Sequence, residues 1–284
     1  MDRHRIELIL KQICETSSFT GFELDEGRSY KGGIPKAHYF LAYNSALDGS
    51  PQTILLDLLF EDPPYPKIQS TPIEGPFIKQ DGSPISVNSP SLETITGDKL
   101  TAFAPNTTGV LYDSRKDLEI VKQLFDLGVL YDEVKDFKAV EDTYRLCVVK
   151  EIEYRFSGGI DMSDVLNDTI ATCELIARRD PQENEPNQAH FDEIQAGLRR
   201  FTGYTANERF RIEDAILAAS KVAVMAAKIK TDDTTPLPRY STGMNRSDYT
   251  FDSNRYSYLN RKLRNVKGGA WFYWHSALTI LGEI

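Results

Sequence analysis

Apolar residues recur at helical spacing in the first segment, at Ile6, Ile9, Leu10 and Ile13. That pattern predicts an opening helix that ends at the polar run ETSS. Between about residues 37 and 61 the period changes. KAHYFLAY and QTILLDLLFE are short, apolar or aromatic, and separated by the turn-rich NSALDGSP, which predicts two paired strands. PPYPKIQSTPIEGPFI is too rich in proline for a central strand and reads as loop with edge pieces, and SPISV supplies one more short strand.

From Ser89 onward the pattern is helical. Ser89 is the expected N-cap with Pro90 at the first helical position, and Leu92, Ile95, Lys99 and Phe103 form one stripe. A second helix is expected after Asp113 or Ser114, with Leu118, Val121, Leu124 and Phe125 on one side and Gly128 as its stop. A third runs from about Asp132 to Phe156, with Phe137, Val140, Tyr144, Val148 and Ile152 facing inward, and a fourth from Ser163 to Arg179 after the break SGGIDMS. Beyond the polar linker RDPQENEPNQ come a helix from Phe191 to Phe201 and an alanine-rich one. In the latter, Ile212, Ala215, Ile216, Ala219, Val222, Ala223 and Ala226 give a small-residue face for close packing. The long segment 231–255 reads as a functional or mobile loop, and GGAWFYWHSALTIL closes the chain as an aromatic helix. The fold class is therefore α+β: a small N-terminal mixed or antiparallel sheet with helices, then a mainly α-helical part. The expected division is 1–128 and 129–284, with a sub-boundary at 180–188.

Composition narrows the function. A chain of 284 residues, 40% hydrophobic, has enough apolar content for a sizeable core. A formal charge of −9 argues against a protein that coats nucleic acid over its whole surface, and leaves room only for a local basic cleft. No apolar run approaches the ~20 residues of a membrane span, and the first residues lack a signal-peptide core, so the expectation is a cytoplasmic protein. Cys14, Cys147 and Cys173 lack CxxC spacing and read as buried free thiols; His4, His38, His190 and His275 form no ligand pair.

Three features bear on chemistry. Asp57 lies inside the apolar run ILLDLLF, where a buried carboxylate needs a partner or a metal. Alternation also allows it a solvated face, shared with Leu55, Leu59 and Glu61. Lys99 sits on an apolar stripe, where its stem can snorkel over apolar surface, or its ammonium can be held in a cleft for a phosphate. Lys122 and Asp126 are one helical turn apart, either as an ordinary i,i+4 pair or with Asp126 turned toward Lys99. The glycine pairs in YKGGIP, RFSGGID and VKGGAW do not follow a strand and open a helix as a phosphate loop does.

In order and spacing, GDKLTAF at Gly97 to Phe103 and KQLFDL at Lys122 to Leu127 resemble the AbiEii/AbiGii-type nucleotidyltransferase family, known from toxin components of toxin–antitoxin and phage-abortive systems. The resemblance implies a core related to polymerase-β-like nucleotidyltransferases, with NTP and Mg²⁺ as cofactors and an antitoxin-like protein and RNA as partners. It assigns Lys99 as the nucleotide-phosphate contact, with Lys122 beside it, Asp126 as the group that orients Lys99, and Asp57 as a metal carboxylate. Two departures stand out. Gln123 occupies the place of the motif's first aspartate, and no D-x-D strand follows YKGGIP. The first helix resembles the one that comes after that strand in the family, so Met1 is expected to lie downstream of it. The chain then reads as a truncated or degenerate nucleotidyltransferase with little activity, or alternatively as a non-enzymatic interaction module with a vestigial nucleotide cleft. The aromatic segment YTFDSNRYSYLNR is the surface expected to serve that second role.

Overall fold

The computed structural model describes residues 2–29, 34–75, 77–155, 158–179, 187–205 and 209–284. Parts of YKGGIP and RFSGGID, the expected helix end at Phe156 and most of 180–188 lie outside these residues. The chain forms two compact units, Met1–Pro63 and Pro64–Ile284.

In the first unit, α1 (Arg3–Thr16) starts at Asp2, whose carboxylate accepts from the Arg5 backbone N–H at 2.9 Å. An antiparallel sheet of order β1-β2-β3 follows, built from β1 (Phe19–Leu24), β2 (Lys36–Asn44) and β3 (Pro51–Leu59), with α2 (Glu26–Ser29) before β2. Ala37, Tyr39 and Leu41 alternate inward along β2 and meet Leu10, with Ile6, Ile13, Leu56, Leu58 and Phe60 packed around them. Of these strands, β1 is the one that the pattern does not predict. Its register slips between Phe19 and Gly21, so apolar positions do not alternate cleanly.

The second unit opens with an antiparallel hairpin of β4 (Ile68–Pro72) and β5 (Ser86–Pro90). Ser89 and Pro90, expected to start a helix, are therefore strand residues. The N-cap is Ser91, whose hydroxyl accepts from Thr94 N–H, and α3 runs over Leu92–Ala102. Next, α4 (Asp117–Glu133) begins later than expected, because Asp113 and Arg115 adopt left-handed backbone angles (φ 59°) that interrupt the right-handed helical run before Lys116. Nor does α4 stop at Gly128. It continues to Glu133, and Gly128 is instead a contact point: a Cβ there would lie 2.7 Å from the Ala218 Cβ. The expected start at Asp132 consequently gives way to α5 at Phe137–Arg155.

α6 (Met162–Arg178) carries a full capping box between Asp161 and Asp164, and α7 (Asn187–Phe201) packs on α4. The alanine-rich α8 (Ile212–Lys230) is central, touching α4, α6 and α10 (Ala270–Ile280), and its small residues let all three approach. Its two buried lysines are each paired: Lys221 with Asp132 at 2.6 Å, and Lys228 with Asp233 and the Thr235 hydroxyl, both at 2.8 Å. The segment 231–255 is a packed strap. Arg239 donates to the carbonyls of Tyr131 and Val134 and so caps α4, while Leu237 and Phe251 are buried. The aromatics expected on the surface here point inward: Phe251 and Tyr256 belong to the core, and Tyr249 packs on Trp271 and Phe272. The short α9 (Tyr258–Lys262) follows, and its Tyr258 hydroxyl donates to Glu174. Both sheets are antiparallel and the helices dominate, so the chain is α+β.

Candidate functional site

The site is built on α3. Its buried face is Thr94, Thr96, Gly97, Leu100 and Thr101, which differs from the apolar stripe in the sequence. Gly97 explains the rotation. A Cβ there would lie 2.5 Å from the Val140 carbonyl and 2.8 Å from the Thr143 Cβ, so α3 and α5 meet backbone to backbone. The buried threonines satisfy their own hydroxyls along the helix, Thr96 on the Leu92 carbonyl and Thr101 on that of Asp98. Threonines and a glycine can therefore fill this face around the single Leu100, and Ile95 and Lys99 are left at the margin.

At that margin the Lys99 ammonium meets α4. It donates to Asp126 Oδ2 at 2.8 Å and toward Gln123 Oε1 at 3.5 Å. Lys99 and Asp126 are 30% and 25% exposed, so the pair is partly desolvated and still reached by water. The structure thus brings together the lysine and aspartate of the two motif segments.

Lys99 lines a cleft of about 310 Å³ together with Asp98, Gln123, Thr108, Glu151 and Arg155. One wall is the turn after α3. Gly109 N–H donates to the Ala104 carbonyl and Val110 N–H to that of Ala102, and a Cβ on Gly109 would sit 2.5 Å from Ala104 N. Asp168 of α6 anchors this turn: its carboxylate accepts from the Asn106 backbone and side chain at 2.8 and 2.7 Å and from the Thr107 hydroxyl at 2.9 Å. Arg155 closes the wall, with one nitrogen on the Gly109 carbonyl at 2.9 Å and Nε on Glu151 at 3.1 Å. The sequence pattern does not single out Arg155; its i,i+4 spacing from Glu151 is the available signal. Asp98 accepts from the Tyr65 hydroxyl at 3.1 Å. Burial, and then the neighbouring Asp98 carboxylate, push both the Tyr65 phenol and the Cys147 thiol up, so both stay protonated near neutral pH.

The other two candidates lie elsewhere. Lys122 is exposed, and among the described residues no ion pair reaches it; the i,i+4 pairing with Asp126 is replaced by the contact to Lys99. Asp57, on β3 of the first unit, is 57% exposed and held by His38 Nδ1 at 2.5 Å and Arg28 at 3.5 Å. The His38 hydrogen bond is the main reason its carboxyl lies below the usual range.

Nucleotidyl transfer in general uses an NTP with Mg²⁺, held by one or two carboxylates and the substrate phosphates. Here the carboxylates at the cleft are each engaged by a donor: Asp126 by Lys99, Asp98 by Tyr65 and Glu151 by Arg155. Among the described residues no group of three or more His, Cys, Asp or Glu is placed to hold a metal ion. These side chains do not fit a resident Mg²⁺. Among the same residues no helix is long and apolar enough to cross a membrane.

No curated protein and no solved structure matches the chain. A family model does, described as nucleotidyl transferase AbiEii toxin, type IV toxin–antitoxin system, over residues 1–212 of 284. That span includes α3, α4, α5 and the whole Lys99 cleft. The chain therefore belongs to the AbiEii nucleotidyl transferase toxin family of type IV toxin–antitoxin systems.

Proposed function

We propose that this toxin-family chain binds a nucleoside triphosphate in the Lys99 cleft, with the Lys99 ammonium on a phosphate oxygen and Asp126 holding that ammonium in place. The observation that carries this reading is the Lys99 contact to Asp126 at 2.8 Å at the edge of a cleft of nucleotide size. An ammonium has three donors. Asp126 takes one, Gln123 a long second, and the third is open to a ligand. Fixing the lysine beforehand reduces the side-chain entropy lost when a phosphate arrives. Gln123, standing where the motif has an aspartate, removes one negative charge beside the ammonium and so favours an anion there. Arg155 adds a second cation to the cleft lining, with part of its guanidinium left over after Gly109 and Glu151.

Transfer itself is expected to be slow in this chain, because the cleft carboxylates are already committed to donors. As a toxin of this family, its counterpart is an antitoxin. The binding claim is tested by thermal unfolding with ATP, GTP, CTP and UTP, each with and without Mg²⁺, on wild type and Lys99→Ala. At a hundredfold excess over Kd, a bound nucleotide contributes about 2.7 kcal/mol, which raises the midpoint by several degrees. At least one nucleotide is expected to do so in wild type, and by clearly less in the variant. No stabilisation by any of the four would overturn the reading. Labelled-NTP incorporation into bulk RNA is expected to stay near background, and efficient labelling would overturn the slow-transfer part.

A further inference from the structure

Within a chain of net charge −9, the segment RRFTGYTANERFR at 199–211 carries four arginines against one glutamate. Its described residues span the end of α7 and the start of α8. Three of the arginines, Arg199, Arg209 and Arg211, line one recess of about 340 Å³ whose apolar surface is Leu198, Phe210 and Ile212. The recess shares no residue with the lining of the Lys99 cleft.

The carboxylates nearby are engaged elsewhere. Asp117 holds Arg200 at 2.6 Å, Glu213 holds Arg179 at 3.3 Å, and Asp214 accepts from the Arg211 backbone N–H at 2.8 Å. Among the described residues no ion pair reaches the side chains of Arg199, Arg209 or Arg211. Three arginines that line one recess, with no ion pair to them among the described residues, offer an anion there several cationic donors. Their planar forks suit phosphate oxygens, which accept two parallel hydrogen bonds from one arginine. The Phe210 ring is held by edge-on contacts to Phe125 and Phe201, with centroids 5.2 and 5.7 Å away. A ring fixed beside a cationic rim gives a flat aromatic group a surface to lie on.

We infer that this recess binds a nucleotide unit, with its phosphate on Arg199, Arg209 and Arg211 and its base against Phe210. The unit is either a free nucleotide or one residue of a single-stranded chain. The volume suits one such unit. The site is independent of the Lys99 reading, and its test keeps the two apart.

Fluorescence polarisation on the full chain is read with two probes, a labelled mononucleotide and a labelled single-stranded oligoribonucleotide, at low and moderate salt. Wild type is expected to bind at least one probe. The triple variant R199A/R209A/R211A is expected to lose about tenfold or more in affinity, the scale of a lost charge-assisted phosphate contact. The same comparison is made in a Lys99→Ala background, which removes the phosphate contact proposed for the other cleft, and the triple alanine substitution is expected to cost the same factor there. The triple Arg→Lys variant should recover part of it. Tighter binding of the oligonucleotide, with a log–log salt slope of roughly −0.7 per phosphate contacted, assigns the site to a strand; preference for the mononucleotide assigns it to a free nucleotide. Since the three side chains are exposed, the variants should unfold at the wild-type temperature. If the triple variant does not fold, Arg209→Gln alone carries the test, with a smaller loss. Failure of wild type to bind either probe would overturn the inference. So would an undiminished affinity when the triple alanine substitution is added to Lys99→Ala.

Discussion

Lys99 with Asp126 and His38 with Asp57 are both acid–base contacts between neighbouring elements, yet they sit in opposite surroundings. Lys99 and Asp126 project from two helices and are 30% and 25% exposed. The lysine's own helix is seated backbone to backbone on α5 through Gly97. Asp57 is 57% exposed on β3, an end strand of a three-stranded sheet, and it draws on Arg28 as well as His38. In the first pair packing fixes where the charges go. In the second, the alternation of a strand places the carboxylate in solvent, where His38 and Arg28 lie beside it. A charge inside an apolar run therefore says little about a site until the packing of its element is known.

The largest way to break the contrast is Gly97→Val. Its side chain meets the Val140 carbonyl and Thr143, so α3 must lift from α5, and the expected cost is about 2–3 kcal/mol in urea unfolding. Nucleotide binding should fall with it, because Lys99 moves away from Asp126. A stable protein that keeps full nucleotide affinity would show that the seating of α3 is irrelevant to the site. Next is Gln123→Asp, which sets a second carboxylate beside the Lys99 ammonium. Stability should change by less than about 1 kcal/mol, while isothermal titration should read a several-fold weaker triphosphate affinity. An unchanged affinity would argue against a phosphate at Lys99.

The smallest effect belongs to the first unit. Asp57→Asn should cost below about 1 kcal/mol at neutral pH, as exposed pairs do. Because the folded-state carboxyl of Asp57 lies below its unfolded value, its contribution is present above about pH 4 and fades as the pH falls through the lower folded value. Urea midpoints of wild type and variant should thus differ at neutral pH and converge in acid. A gap that widens in acid would reverse the assignment.

Much of the fold was legible from pattern. The strand pair β2 and β3, the helix α1 and the small-residue face of α8 follow from the spacing of apolar and small positions. The two motif segments that carry Lys99 and Asp126 also gave the family that the matched model identifies. Other features misled for identifiable reasons. Gly128 resembles a helix stop and is instead a close contact with Ala218; the segment 249–258 resembles an aromatic surface and instead fills the core. Arg155 gave little signal, because its place on the cleft wall depends on the turn around Gly109, which Asp168 holds through Asn106, 62 residues away along the chain.

The sequence by itself determined the α+β class, the pairing of its clearest strands and the family, because periodicity and local motifs survive without knowledge of neighbours. Only the tertiary structure decided which face of α3 is buried. A glycine and threonines can form an inward face when another backbone comes within 2.5 Å of where a Cβ would stand, and no local pattern contains that neighbour. The same reason holds for the meeting of Lys99 with Asp126 and for the gathering of Arg199, Arg209 and Arg211 around one recess. Each depends on where a second helix begins or ends in space.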